Sequence, residues 1–231
     1  MREIVLDTET TGLKPADGHR VVELGCVELL NRIPTGATFH VYLNPDRDMP
    51  AEAFAVHGLS SDFLRDKPRF AEVADEFLSF VADSPMVAHN ASFDHAFLCH
   101  ELKRVARPEI PHDRVVDTLM LARRKFSAGS YSLDALCARF GIDNSRRTKH
   151  GALLDAEILA EVYLELIGGR QAQLGLAEAI ELPPGHTSEG AIIVRVRPEP
   201  LKPRISDAER DAHRAFIATL GESAIWLSYT E

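Results

Sequence analysis

The apolar positions first gather in short runs and then, from about residue 70, recur with helical spacing. Ile4-Val5-Leu6 is a short apolar run closed by Asp7 and, further on, by Gly12, which reads as a strand buried on both faces. Two more strands are expected around Val21–Leu30 and Ala37–Leu43, with Pro34-Thr35-Gly36 as the turn between them. Connections this short favour an antiparallel meander. Beyond them Phe70, Val73, Phe77 and Phe80 mark a helix over 70–81, and Pro85–Ala88 is a short strand. Phe93–Val105 reads as a helix, Val115-Val116 as a last strand, and Leu119–Phe126 as helix again. Ser132 is placed to cap a helix ending at Gly141, and Gly151–Ile167 is the longest helix, stopped by Gly168-Gly169. Three strands followed by alternating helices and strands predict an α/β fold, a mixed sheet flanked by helices.

After Gly169 the character shifts. Residues 177–206 carry Pro183-Pro184-Gly185, Pro198, Pro200 and Pro203 with little periodicity, and read as a linker extended by its prolines. Asp207–Leu220 is helical again, with Ala212, Phe216 and Leu220 along one face, and the only tryptophan, Trp226, lies in a short apolar end segment. A main domain over 1–170 and a tail over 207–231 are therefore expected on either side of the linker.

Composition narrows the function classes. The 231 residues are 45% hydrophobic, ordinary for a globular chain, and no apolar run approaches the roughly 20 residues that span a bilayer. The chain enters its first strand without a basic, signal-type leader. Cys26, Cys99 and Cys137 form no C-x-x-C pair and suggest neither a disulfide framework nor a zinc site. A cytoplasmic protein with packed thiols and no membrane partner is expected. Net charge is −9, all of it from residues 1–190, where 20 Lys and Arg face 29 Asp and Glu. That is the wrong sign for gripping duplex nucleic acid by phosphate neutralisation. If the chain acts on nucleic acid, metal ions or a partner must supply what basic residues do not.

Asp7 and Glu9 stand two apart at the end of the first strand, so both side chains project from one face. Two carboxylates held close repel unless a cation lies between them, and hard oxygen ligands select Mg²⁺ or Mn²⁺. Taken alone, D-x-E is also a common polar strand ending. Asp94 falls in the first turn of a helix, where it reads as a capping or dipole carboxylate. Asn90 or Ser92 can cap equally well, which leaves Asp94 for a metal. In the longest helix Ala152, Asp155, Leu159, Val162 and Leu166 follow a 3-4-3-4 stripe, so Asp155 interrupts an inward apolar face and needs a partner or a metal. His150 is about 140° from Asp155 on an ideal helix. It therefore reads as preceding the first turn, with Gly151 as pivot, where a histidine suits a general base. Two divalent ions about 3.5–4 Å apart would then bind a scissile phosphate symmetrically.

The motifs D-T-E-T-T-G at 7–12, H-N-A-S-F-D at 89–94 and H-G-A-L-L-D at 150–155 resemble those of the DEDD exonuclease superfamily, in the branch with histidine in the third motif. Within it the chain is similar to the proofreading subunits of bacterial replicative polymerases. The likeness extends to Phe54-Ala55-Val56-His57-Gly58-Leu59, Leu133–Cys137 and Arg146-Arg147-Thr148-Lys149. The resemblance implies a ribonuclease H-like fold and 3′→5′ removal of mismatched nucleotides from the single-stranded 3′ end of primer DNA. It implies two divalent metals (Mg²⁺ or Mn²⁺) on Asp7, Glu9, Asp94 and Asp155, with His150 as base. Thr8, Thr10, His57, Asn90, Arg146 and Lys149 are expected to bind substrate, with Arg147 as a further basic residue of that loop. Gln171-Ala172-Gln173-Leu174-Gly175-Leu176 is similar to a sliding-clamp-binding peptide, with Gln171, Leu174 and Leu176 as anchors, although it ends in Leu where the family pattern has Phe. The tail, with His213, Phe216, Leu220 and Trp226, resembles the segment that binds the polymerase catalytic (alpha) subunit, an amphipathic helix on a tether. The runner-up is a free-standing RNA-processing exonuclease with the same catalytic set, and a third reading is a catalytically dead scaffold.

The acidic balance makes a direct expectation. The isolated chain should bind long duplex DNA only weakly, with micromolar or poorer affinity near physiological salt, as about 10⁻⁴–10⁻⁶ M is usual for non-specific contacts. Fluorescence anisotropy checks it, and nanomolar, salt-sensitive binding would refute it.

Overall fold

The computed structural model describes residues 1–147, 149–168, 205–221 and 226. Its contacts divide the chain into two units, Met1–Gly175 and Leu176–Glu231. The first unit carries a five-stranded sheet of β1 (Arg2–Thr10), β2 (Val21–Leu30), β3 (Ile33–Tyr42), β4 (Met86–Ala88) and β5 (Val115–Asp117) in the order β3-β2-β1-β4-β5. β1, β2 and β3 pair antiparallel, and β1-β4 and β4-β5 pair parallel. This is the mixed sheet expected from the sequence, with β1 at its centre.

The helices are α1 (Ala51–His57), α2 (Ser61–Leu64), α3 (Phe70–Val81), α4 (Ser92–Arg104), α5 (Thr118–Lys125), α6 (Leu133–Phe140), α7 (Ala152–Leu166) and, in the second unit, α8 (Asp207–Thr219). Helices of the first unit build two cores, one on each face of the sheet. Alternation along β1 sends Ile4 and Leu6 into one with Phe70, Phe77 and Phe97, and Val5 into the other with Leu136, Leu159 and Val162. A strand sandwiched this way is buried on both faces, as its apolar run predicted.

The hairpin turn differs from the sequence expectation. β2 and β3 reverse at Asn31-Arg32, both with positive φ (52° and 66°), while Pro34-Thr35-Gly36 belongs to β3. A two-residue hairpin loop of type I′ has φ > 0 at both positions, which matches the twist of its strands. β3 is an edge strand, where a proline lacking its N–H is tolerated. A register shift between Val27 and Leu29 absorbs the irregularity. α1 and α2 were not expected at all. α1 buries only Ala53 and His57, which is too little for periodicity to register.

Caps behave largely as read. Ser132 accepts from Ala135 N–H and Gly141 ends α6 at φ 68°. α4 departs from this, since its N-cap is Ala91 with helical dihedrals and no side-chain cap, so neither Asn90 nor Ser92 serves that role. In α7 the predicted stripe Ala152, Asp155, Leu159, Val162 and Leu166 is buried throughout. The three cysteines are buried and free. Among the described residues, no helix is long and apolar enough to cross a membrane.

α7 meets the sheet at backbone distance. A Cβ on Gly25 would lie 2.3 Å from Leu153 N and 2.4 Å from Ala152 C, and Gly25 is the cross-strand partner of Asp7. Gly25→Ala is therefore expected to lower stability by about 1–3 kcal/mol, the usual cost of forcing volume into a packed site, and to weaken any divalent cation bound at the α7 N-terminus. Urea unfolding measures the first and a Mn²⁺ titration the second.

Candidate active site

The carboxyl ends of the parallel strands β1 and β4 open at one rim of the sheet, the usual location of ligand sites in α/β folds. Asp7 and Glu9 end β1 there. From one layer α4 brings Asp94 in its first turn, held by the Thr8 hydroxyl, which donates to Asp94 Oδ1 at 2.7 Å. From the other layer α7 brings Asp155, also in its first turn. His150 lies before that helix, exposed, with Nδ1 3.2 Å from Asp155 Oδ2. Ligand atoms of Glu9, His150 and Asp155 all fall within 4.8 Å of one another.

The electrostatics of this cluster are those of crowded acids. Burial pushes the Asp7 carboxyl well up, and the charges of Asp94, Glu9 and Asp155 push it further. Glu9 is raised to about 8 by burial, with Asp155, Glu23 and Asp94 adding to it. Burial raises Asp94 to about 7 against the hydrogen bond from Thr8. Asp155 alone goes down. Its burial is more than offset by hydrogen bonds from His150 and Arg147 and by their charge.

The donor set is one that fits a cation. Carboxylates that raise one another's pKa form a site short of positive charge, and a cationic group beside them, the Arg147 guanidinium, is hydrogen-bonded to both Asp155 oxygens at 2.6 and 2.7 Å. Oxygen donors with one imidazole suit a hard divalent ion.

Beside the cluster is a cavity of about 550 Å³, lined by Thr8, Glu9, Thr10 and the Thr11–Lys14 turn, by Pro50, Ala53, Val56 and His57 of the α1 region, and by Phe93. Of the residues expected to bind substrate, Thr8, Thr10 and His57 line it. His57 is buried. Its Nδ1 accepts from Leu59 N–H at 3.0 Å, its Nε2 has no hydrogen-bond partner among the described residues, and burial lowers its pKa. The other three do not line this cavity. Asn90 stands at φ 60° with its N–H on Asp117, Arg146 is 3.8 Å from Glu157, and Lys149 lies over the Phe54 ring at 5.3 Å.

Relatives with this layout are close in sequence. The model of the exonuclease family matches residues 4–163. DNA polymerase III subunit epsilon of Escherichia coli is 46% identical across 97% of each chain. The same subunit of Rickettsia felis is 44% identical across 97% of this chain and 99% of the relative. The chain belongs to the exonuclease family, among the DNA polymerase III epsilon subunits. Solved structures agree with that family. Exonuclease X in complex with 5′ overhanging duplex DNA superposes with a TM-score of 0.55 at 27% identity, covering 72% of this chain and 92% of that one. The nuclease domain of 3′hExo, a DEDDh family member bound to rAMP, gives 0.63 at 15% identity over 73% and 92%, a likeness of fold.

Sequence reading missed several residues at this epsilon-family site. Leu13 on the turn after β1, Val56 on the short α1 and Phe93 at the start of α4 supply an apolar wall to the cavity, and three residues this far apart in the chain make no periodic signal that marks them together. Glu23 is buried, directly across the strands from Glu9, with His40 Nε2 2.8 Å from its Oε1. An acid interrupting the apolar run Val21–Leu30 was the available sign, the same one that singled out Asp155. Arg147, read only as a further basic residue of the loop that carries Arg146 and Lys149, turns inward onto Asp155.

The raised carboxylates fix a pH dependence. An acid whose pKa rises on folding keeps its proton longer in the native chain, so stability is lost as pH climbs between the unfolded and folded values. The metal-free protein should therefore lose stability from about pH 4.5 to about 8, the span over which Glu9 is shifted. Asp7→Asn, which removes one of the repelling charges, should stabilise the metal-free chain near pH 8 and make this loss shallower. Urea unfolding in EDTA at both ends of that range checks both, and a flat profile would refute the repulsion.

Proposed function

We propose that the chain removes mismatched nucleotides from the 3′ end of nascent DNA by metal-dependent phosphodiester hydrolysis, as the proofreading subunit of a bacterial replicative polymerase. The observation that carries this reading is the meeting of four carboxylates and His150 at one rim in a chain matched nearly end to end by epsilon subunits. That end-to-end match disfavours a free-standing RNA-processing enzyme, and the complete set of acids and base disfavours a dead scaffold.

Asp7, Glu9, Asp94 and Asp155 would hold two divalent ions, Mg²⁺ or Mn²⁺, which when bound supply the Lewis acid that polarises the phosphate and acidifies a water. Every other step falls to the chain's own residues. The cavity takes the terminal nucleotide, its sugar and base against Leu13, Val56 and Phe93, with Thr10 and His57 as polar contacts. Arg146 and Lys149, exposed on the loop before α7, remain available to the strand's phosphates. Nδ1 of His150 lies 3.2 Å from Asp155 Oδ2, and in a working site where Nδ1–H is donated there the imidazole would keep the Nε2 lone pair to accept the proton of the attacking water. A base on an exposed loop reaches solvent and returns that proton after each turnover.

The proposed organisation is a nuclease over 1–170, a clamp contact at 171–176, a linker over 177–206 and a tail over 207–231. Gln171, Leu174, Leu176 and most of the linker lie outside the described residues. In the tail α8 is capped by Ser206 and Glu209 together and buries none of its residues. Phe216, Leu220 and Trp226 are exposed, and the His213 and Trp226 rings lie 5.8 Å apart edge to face. An apolar helix face of this kind suits a groove on the polymerase alpha subunit. Tethering there raises the nuclease's local concentration at the primer end.

Asp7→Ala should abolish hydrolysis of a single-stranded 3′ end, by at least about 10³-fold for loss of a metal site, and still co-purify with the polymerase subunit. Truncation at Pro203 should do the reverse. Activity of Asp7→Ala equal to the parent would refute the metal assignment, and undiminished association of the truncation would remove the tail's role.

A further inference from the structure

Arg147 makes contacts that Arg146 and Lys149 do not. Its Nε and Nη2 donate to the two oxygens of Asp155 at 2.6 and 2.7 Å, and Nη1 donates to Asp134 Oδ1 at 2.8 Å. Nη2 is also 2.7 Å from His150 Nδ1. The Arg147 side chain is 9% exposed, whereas Arg146 is 71% exposed and reaches only Glu157 at 3.8 Å. A planar guanidinium with five donors can hold a carboxylate and a second acceptor together. Here it covers both oxygens of one proposed metal ligand and sits against the proposed base.

We infer that Arg147 is an internal counter-ion, which competes with the divalent cation for Asp155 and holds His150 inactive until the cation is bound. The inference rests on the metal-site reading above. The chemistry of the contacts carries it. A carboxylate gripped at both oxygens must release at least one N–H before either oxygen can coordinate an ion. A Nδ1 that accepts from Arg147 cannot at the same time donate its proton to Asp155, which is the arrangement that frees Nε2 as a base. Asp134, on α6 and 59% exposed, is the outer anchor. Through Nη1 it steadies the guanidinium while the Nε–Nη2 edge grips Asp155, and that edge is free for an anionic oxygen of the substrate strand once a cation has displaced it. Arg147 is thus a positioning residue, acting on Asp155 and His150.

The test is a Mn²⁺ titration of the full-length chain without nucleotide, with free Mn²⁺ read by electron paramagnetic resonance. Arg147→Gln is expected to bind Mn²⁺ about tenfold more tightly, as loss of a competing charge-assisted contact implies. Its metal-free Tm should fall while its Mn²⁺-saturated Tm stays near that of the parent. Arg147→Lys should lie between the two. Arg146→Gln removes the same charge from the same loop and should leave the affinity within about twofold, so equal tightening by both variants would reduce the effect to net charge and overturn the inference. Unchanged or weaker Mn²⁺ binding by Arg147→Gln would also overturn it. Should that variant not fold, Asp134→Asn loosens the outer anchor and should tighten Mn²⁺ binding by about twofold, and no change there counts equally against the inference. A parent chain that binds no Mn²⁺ would remove the metal reading together with this one, whereas parent binding that ignores position 147 removes only this one.

Discussion

Four carboxylates share one rim of the sheet and repel one another, and much of the first unit can be understood as the means of holding them there. β1 is the anchor. It is paired on both edges and packed on both faces, so Asp7 and Glu9 cannot withdraw without breaking the centre of the sheet. Asp94 is held by the Thr8 hydroxyl, itself on β1. Asp155 is placed by α7, which is fixed at two points. Its first turn lies on the backbone of Gly25, and near its other end the Tyr163 hydroxyl donates to buried Glu3 at 2.7 Å. The distances agree. Eight residues of helix from Tyr163 back to Asp155 rise about 12 Å, and four residues of strand from Glu3 to Asp7 advance about 13 Å. A helix lying antiparallel on β1, pinned at Glu3, therefore delivers Asp155 beside Asp7.

Such a site is more stable filled than empty. Burial and mutual charge leave Glu9 and Asp94 with pKa values near 8 and 7, so near neutral pH the metal-free cluster must retain protons or tolerate repulsion. A bound cation removes both penalties at once, and the cost of assembling the acids is met by the fold before any substrate arrives. Arg147 is the partial remedy inside the chain. It lowers Asp155 and opposes the upward shift at Asp7 and Glu9, which makes the metal-free state tolerable without neutralising it.

What could be read from the residues follows the range of the forces involved. The order of strands and helices after residue 70 was legible because each element buries a periodic face. Asp155 was legible because an acid on an inward stripe is costly unless it has a partner. The hairpin turn was misplaced because Pro-Thr-Gly is a stronger local signal than Asn-Arg, whereas edge position and strand twist, both tertiary, decide the outcome. α1 escaped notice because its two inward residues make no pattern, yet it forms one wall of the cavity. Arg147 was legible as a basic loop residue and no more, since nothing local in Arg146-Arg147-Thr148-Lys149 tells which arginine turns inward. That depends on Asp134 standing across the cleft on α6.

The acidic charge, which first argued against nucleic-acid binding, fits the site once its parts are considered together. A cluster needing cations cannot be surrounded by lysines without those lysines competing for the same carboxylates, as the Arg147–Asp155 pair already illustrates. A nuclease built on such a cluster therefore keeps its surroundings acidic and accepts weak intrinsic affinity for its polyanionic substrate. Weak affinity has a use in proofreading, because a nuclease that grips duplex DNA would degrade correctly paired ends as readily as frayed ones. Discrimination is better left to whether a 3′ end is single-stranded and within reach, and reach is what a tethered partner contact controls. In the proposed organisation, a proline-bearing linker and the amphipathic α8 would answer to the same requirement that placed Asp7 and Glu9 at the end of β1.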